Sequence, residues 1–359
     1  MELKDRDLIS VQETRELLAQ ANEAAKKLAL MDQRQIDTIV KAISDAGAAH
    51  AGTLAAEANE ETGFGIKQDK VVKNLFAAKT VYEAIKDQRT VGIIREDREH
   101  QVWDIGVPVG VIAGLVPSTN PTSTVIYKAM IALKGGNAIV FSPHPSAKNC
   151  ILRTVHFLAE AAEAAGCPRG AISAISTPTM EATQELMKHK YTALILATGG
   201  GAMVKAAYSS GTPAIGVGAG NGPAFIDKSA NVEQAVKRIL DSKTFDNGTI
   251  CASEQSIIVE QAMESAVVRE LKRQGAFLLN EAQTKQLGGF ILRANGTMNP
   301  KIVGKSCVRI AEYAGLSGIP ADARVLVGRE TGVGEGAPYS REKLAPILGL
   351  FVEADTDQV

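Results

Sequence analysis

The chain has 359 residues, 45% hydrophobic and 22% charged, with a formal net charge of −1. That is the composition of a soluble globular protein long enough for two or three domains, and the near-zero charge argues against a nucleic-acid partner held by phosphate neutralisation. No apolar run approaches a membrane span, and the opening residues from Met1 to Asp7 are too charged for a secretory signal. The cysteines at 150, 167, 251 and 307 form no CxxC pair, and the five histidines form no metal-ligand spacing. Neither a metal nor a disulfide framework is expected, and a reducing cytoplasm is the expected compartment.

From Ser10 to about Ala58 the pattern is helical: Leu17, Leu18, Ala21, Ala24 and Ala25 recur at helical spacing, as do Ile36, Ile39, Val40 and Ile43. The first 29 residues read either as a partner-docking amphipathic segment or as an ordinary surface helix. Gly63-Phe64-Gly65-Ile66 breaks the run before another helix to about Ile85. Thr90 to Val107 places two apolar stretches around a charged tip, which predicts a hairpin. A lone two-stranded ribbon is marginal in water, so this one is expected to add to another subunit's sheet or to fold back on its own domain.

Beyond Val109, short apolar strands alternate with helices. The strands are Gly110–Val116, Ala138–Phe141, Ala171–Ile175, Ala193–Ala197 and Ala214–Val217; the helices are Thr122–Leu133, Ser146–Ala165, Met180–His189 and Ala202–Tyr208. This alternation predicts a parallel, doubly wound sheet, with ligands at the carboxyl ends of its strands. At one such end, Leu115-Val-Pro-Ser-Thr-Asn120-Pro121, the Asn120 amide is placed either to donate to a ligand or to cap the next helix. At Phe141-Ser142-Pro143-His144-Pro145, His144 reads as a ligand contact or as a solvated loop residue. At Ala197-Thr198-Gly199-Gly200-Gly201, three glycines before a helix allow close backbone approach to an anion, or make a tight turn. This is not the GxGxxG fingerprint. Gly216-Val-Gly-Ala-Gly-Asn-Gly222 follows and contains no carboxylate.

A helix over Asn231–Ser242 leads into Thr244-Phe-Asp-Asn-Gly-Thr-Ile-Cys251-Ala-Ser-Glu-Gln-Ser256. Asp246-Asn247-Gly248 is turn chemistry, and the strand Ser256–Val259 comes after it. A thiol on a turn between two elements is placed as a nucleophile, although a buried structural cysteine fits this stretch equally. A second strand–helix domain then carries helices over Gln261–Gln274 and Glu281–Leu287, the segments Lys301–Gly304 and Ala323–Val327, and Glu342–Leu348. The chain stops soon after an apolar run, so the second domain is expected to be incomplete. The expected divisions are N-terminal helices over 1–89, a hairpin arm over 90–107, a Rossmann-type domain over 108–243 and a second α/β domain over 244–359.

Seven stretches in order carry a resemblance: Val-Pro-Ser-Thr-Asn-Pro-Thr-Ser (116–123), Phe-Ser-Pro-His-Pro (141–145), Ala-Thr-Gly-Gly-Gly (197–201), Lys-Ala-Ala-Tyr-Ser-Ser-Gly (205–211), Ile-Gly-Val-Gly-Ala-Gly-Asn (215–221), residues 244–256, and Glu-Lys-Leu-Ala-Pro (342–346). Together they resemble the CoA-acylating branch of the aldehyde dehydrogenase superfamily, above all the acetylating acetaldehyde dehydrogenases, alone or as the first half of bifunctional aldehyde–alcohol dehydrogenases. The resemblance implies Cys251 as nucleophile and the Asn120 amide as an oxyanion donor. It implies cofactor contacts at Leu115, Val116, Pro117, Ser118, Thr119, Asn120, Gly199, Gly200 and Gly218, and Glu342 on the nicotinamide ribose. Ser142 stands where ordinary aldehyde dehydrogenases have an adenosine-binding lysine, so the loop with Ser142 and His144 is expected to serve instead.

The implied reaction is reversible, NAD-dependent oxidation of a short-chain aldehyde to an acyl-CoA through a thioester on Cys251, acetaldehyde being the expected substrate. The implied cofactors are NAD and coenzyme A, with no metal, and the arm implies a homo-oligomer, cytoplasmic or inside a bacterial microcompartment. Hydrolytic relatives place a general-base glutamate just before the glycine-rich loop. Here Ile215–Asn221 has none, which favours thiolysis over hydrolysis, because a thiol is the stronger nucleophile. A hydrolytic dehydrogenase and a non-catalytic assembly fragment are the competing expectations.

Overall fold

The computed structural model describes residues 4–359; Met1–Leu3, part of the charged start read above against a signal peptide, lie outside them. The chain divides into two compact units. The first comprises the chain as far as Thr62 together with Lys70–Gly218, and the second comprises Gly63–Asp69 and Ala219–Val359. The division therefore falls well before the expected 243/244 boundary. The reason is a strand over Gly222–Ile226 that the glycine-rich composition concealed, and that pairs within the second unit.

In the first unit, α1 (Arg6–Leu28), α2 (Gln33–Ala49) and α3 (Ala51–Thr62) precede α4 (Lys67–Leu75), a π-helical turn and α5 (Val81–Ile85). Asp5 and Asp32 start the first two helices, each accepting backbone N–H groups that a helix leaves unpaired. The expected hairpin is β1 (Gly92–Asp97) paired with β2 (Val102–Gly106). Ile93, Ile94, Val102, Trp103 and Ile105 on it are exposed.

The first sheet has β3 (Val111–Leu115), β4 (Ala138–Ser142), β5 (Ile172–Ala174), β6 (Thr192–Thr198) and β7 (Ala214–Val217), all parallel, in the order β5-β4-β3-β6-β7. The intervening helices are α6 (Pro121–Lys134), α7 (Lys148–Ala164), α8 (Met180–Lys188) and α9 (Gly201–Tyr208). Strand order reverses at β3, so the chain leaves β3 and β6 in opposite directions and opens a crevice at their carboxyl ends. Strands β3 and β4 are buried along their whole length, as the unbroken apolar runs Val-Ile-Ala-Gly-Leu and Ala-Ile-Val-Phe require.

The second unit begins with β8 (Gly222–Ile226), α10 (Val232–Thr244) and β9 (Glu254–Glu260). It continues through α11 (Gln261–Arg273), β10 (Ala276–Leu278), α12 (Glu281–Ile291), α13 (Cys307–Ala314), β11 (Val325–Arg329) and β12 (Ile347–Glu353). Its sheet is also parallel, in the order β10-β11-β12-β9-β8. Pro223 is tolerated because β8 is an edge strand, where a missing N–H need not break a ladder on both sides. Lys301–Gly304 is a turn, and β12 begins only at Ile347. No described helix is long and apolar enough to cross a membrane.

Helix α2 meets α6 at Gly47. A Cβ there would lie 3.1 Å from Ile126 Cγ2 and 3.2 Å from Ala78 Cβ. Gly47→Leu is expected to lower stability by about 1–3 kcal/mol through overpacking. Gly52→Ala, at a helical position with nothing within 4 Å of the added carbon, is expected to raise it by roughly 0.5–1 kcal/mol. Urea unfolding of the two variants reads both signs.

Candidate active site

In the first unit the expected cofactor residues gather because parallel neighbours send their exit loops to one edge of the sheet. Leu115–Asn120 leaves β3, Ser142–His144 leaves β4, Thr198–Gly200 leaves β6 and Gly218 follows β7. Gly200 and Gly201 would carry a Cβ with nothing within 4 Å, so the backbone at the start of α9 is open to a ligand. An anionic group has room to approach that backbone.

Asn120 precedes α6 without capping it through its side chain. Instead its Oδ1 accepts from Lys73 Nζ at 2.8 Å, and its Nδ2 donates to Thr119 Oγ1 at 3.2 Å. Lys73 thereby fixes which end of the amide donates. Helix α4 supports the same loop once more and the helix after it: Lys70 Nζ reaches Thr119 O at 3.4 Å, and Asn74 Oδ1 accepts from Thr122 Oγ1 in α6 at 2.7 Å. The sequence reading missed these three. Their signal was faint: one face of a short polar helix at spacing i, i+3, i+4.

Ser142 is buried, its hydroxyl 2.8 Å from Thr183 Oγ1, and its carbonyl accepts the Val116 N–H. The exposed member of that loop is His144, whose Nδ1 accepts the Ser146 N–H at 3.1 Å. Below the crevice lies Lys128, 1% exposed, whose Nζ donates to Leu115 O at 2.8 Å and Leu196 O at 2.7 Å. One ammonium thus ties together the ends of β3 and β6, from which two of the loops spring. Burial pushes it down to about 7.

In the second unit the thiol stands at the other kind of strand end. Gly220 leads into β8, Cys251 into β9 and Glu342 towards β12, and these three strands are adjacent in the order β12-β9-β8. Their leading loops therefore converge. A Cβ on Gly220 would lie 2.1 Å from Cys251 O and 3.5 Å from Cys251 Cβ, so only glycine fits beside the thiol residue. Gly220 N donates to Glu342 Oε1 at 2.9 Å. Glu342 is half-buried, and that burial raises its carboxyl above the ordinary value despite the Gly220 bond and the facing Lys243 and Lys343.

Cys251 is exposed, whereas Cys150, Cys167 and Cys307 are buried. Burial pushes the thiols of Cys167 and Cys307 up to about 12, and that of Cys150 higher still with help from Glu61. The turn before Cys251 holds Asp246 at φ +51° and Asn247 at +50°, a left-handed pair unusual for residues other than glycine. The Asp246 carboxylate is fully buried; it accepts from Ile66 N at 2.6 Å and Thr249 Oγ1 at 2.5 Å, while Asp69 Oδ2 takes the Asp246 N–H at 2.7 Å. A Cβ on Gly65 would lie 1.9 Å from Asp246 Oδ1, and one on Gly248 would lie 2.8 Å from the Ala345 backbone. The turn is thus locked on both sides. No group of metal-ligating side chains occurs among the described residues.

A sequence model of the aldehyde dehydrogenase family matches residues 4–336. The bifunctional aldehyde-alcohol dehydrogenase of Escherichia coli K12 is 45% identical over 346 residues, covering 96% of this chain and 39% of that protein, so the chain spans about two fifths of that curated relative. Among solved structures, a probable aldehyde dehydrogenase from Listeria monocytogenes EGD-e superposes with a TM-score of 0.97 at 63% identity, over 99% of this chain and 78% of the other. An acetylating aldehyde dehydrogenase from Geobacillus thermoglucosidasius gives 0.96 at 55% identity, with coverage of 99% and 78%.

Two outcomes follow from the site's supports. Below about pH 7 Lys128 carries its proton folded or unfolded; between there and the ordinary lysine value near 10.4 only the unfolded chain does. Stability therefore rises with pH across that window, by at most about 1.4 kcal/mol per unit for this group. Urea unfolding should show this rise reduced in Lys128→Met. Asp246→Ala strands the Ile66 N–H, while the Thr249 hydroxyl keeps its bond to the residue-246 carbonyl, and is expected to cost about 1–3 kcal/mol by the same measurement.

Proposed function

The chain belongs to the aldehyde dehydrogenase family, and from that we propose that it oxidises a short-chain aldehyde, acetaldehyde above all, with NAD, passing the acyl group reversibly to coenzyme A. The observation that carries this reading is Cys251: the exposed thiol of four, on a turn locked by Asp246. The acetylating relative from Geobacillus thermoglucosidasius supports the acyl-transfer half of the reading.

In this reading Cys251 Sγ adds to the aldehyde carbonyl, and the Asn120 amide, oriented by Lys73, donates to the oxyanion, an effect worth about 3 kcal/mol in comparable sites. NAD, when bound, would supply the hydride acceptor. The carbon left on Cys251 is a thioester. Coenzyme A, as the thiolate with its proton released to solvent, attacks that carbonyl, and Cys251 leaves as thiolate. Leu115–Asn120, the Ser142–His144 loop, Gly199, Gly200 and Gly218 hold the cofactor. His144 offers the side chain there, because the Ser142 hydroxyl is already engaged by Thr183. Glu342 takes the nicotinamide ribose. The exposed apolar face of β1 and β2 joins copies of the chain.

One observation favours the hydrolytic alternative. Glu342, with its raised carboxyl, lies one glycine away from Cys251 and could serve a water molecule as base. Thiolysis remains the better reading because a thiol needs far less activation than water to attack a thioester.

The test is acetaldehyde-dependent NADH formation with and without coenzyme A. Acetyl-CoA formed only in its presence is expected; turnover to acetate without it would favour hydrolysis. Cys251→Ala should abolish acyl transfer yet bind NADH, and Asn120→Ala should lower kcat by about 10²-fold or more.

A further inference from the structure

We propose that Lys343 is the positioning residue of the thiol site: it tethers the Tyr339–Arg341 backbone from inside the unit and so delivers the Glu342 carboxylate to the Gly220 N–H beside Cys251. The inference deepens the acyl-transfer reading and rests on it for the identity of Cys251 as the reacting thiol.

Lys343 is fully buried, and each of its polar groups is engaged. Its Nζ donates to Tyr339 O and Arg341 O, both at 2.6 Å. Its backbone N–H donates to Gln255 Oε1 at 2.8 Å, and its carbonyl accepts from Lys243 Nζ, also at 2.8 Å. Lys243 is itself fully buried, and its Nζ reaches the same Gln255 oxygen at 2.9 Å. Residue 343 is thus pinned at three points, and Glu342 is the residue immediately before it. On the far side of Glu342, Asn221 Nδ2 holds Ser340 O at 2.8 Å, tying the same segment to the loop that carries Gly220.

Burying two ammonium groups is costly. Desolvation pushes Lys343 down to about 7 and Lys243 well below the ordinary value. The carboxylates facing them are Glu342 and Glu330 for Lys343, and Glu342 and Glu254 for Lys243. Neither lysine makes a salt bridge among the described residues; their hydrogen bonds go to backbone carbonyls and to Gln255. A hydrophobic side chain would fill the space at less cost, so the geometry is what the ammonium groups contribute. The contacts run from Lys343 through Glu342 and Gly220 to Cys251.

The test is a double-mutant cycle read without NAD or coenzyme A. Iodoacetamide alkylation of Cys251 at neutral pH is followed by mass spectrometry in the wild type, Lys343→Met, Glu342→Gln and the double variant, with amide exchange of Gly220 alongside. Lys343→Met is expected to change the alkylation rate by about threefold or more in the wild type and by less than about 1.5-fold in Glu342→Gln. It should also strip protection from Gly220 while leaving β3 and β6 protected. An equal change in both backgrounds, or no change in the wild type, overturns the proposal. Should Lys343→Met not fold, Lys343→Gln, which keeps a donor for one carbonyl, is read in the same way. A failure of acyl-CoA synthesis by the wild type would be a separate result, because nothing in this cycle depends on turnover.

Discussion

The buried carboxylate of Asp246 is the constraint on which the thiol depends. Two successive residues without a glycine's freedom sit in the left-handed region, a conformation costing roughly 1–2 kcal/mol each. The offset comes from hydrogen bonds that the Asp246 carboxylate accepts, from Ile66 N and the Thr249 hydroxyl, while Asp69 takes the Asp246 N–H. Each is a charge-assisted bond to a carboxylate. Immediately beyond Thr249 the chain turns back with Ser253 N on Ile250 O at 3.2 Å, and Cys251 lies inside that turn. A flexible loop could expose a sulfur, but it could not hold it in one place.

The sequence reading located the turn but not what holds it. Asp246-Asn247-Gly248 was recognisable because those residue types tolerate positive φ. Their partners were not, since Ile66 and Asp69 lie far away in sequence, at the end of a helical run. The first sheet was legible almost strand by strand, because buried parallel strands leave unbroken apolar runs between helical segments. The second sheet was harder. Strand β8 begins Gly222-Pro223 and reads as loop until its place at the sheet edge is known, and β10 is too short to leave a pattern. Lysines 70, 73, 128, 243 and 343 were invisible as site residues, because composition counts a lysine as solvated surface.

Those lysines share a physical logic. A buried ammonium has three donors, and backbone carbonyls at strand ends and in tight turns have no regular partner. Lys128 unites the carbonyls of Leu115 and Leu196, and Lys343 those of Tyr339 and Arg341. In both units the loops that matter share one edge of a parallel sheet, exit loops in the first and leading loops in the second. Parallel pairing alone sets that convergence, since neighbouring strands begin and end together. What pairing leaves free is the loops' exact height above the sheet, and the lysines bear on that.

The missing general base is the point at which sequence and space diverge. The stretch Ile215–Asn221 contains no carboxylate, yet the fold brings Glu342 to Gly220 within it. Absence from a motif is therefore not absence from the site. Glu342 Oε1 accepts the Gly220 N–H at 2.9 Å, so the backbone occupies one of its two oxygens. A thiol needs far less help than water to attack a thioester. A site whose Glu342 carboxylate also holds Gly220 in register is therefore better matched to a sulfur nucleophile than to solvent.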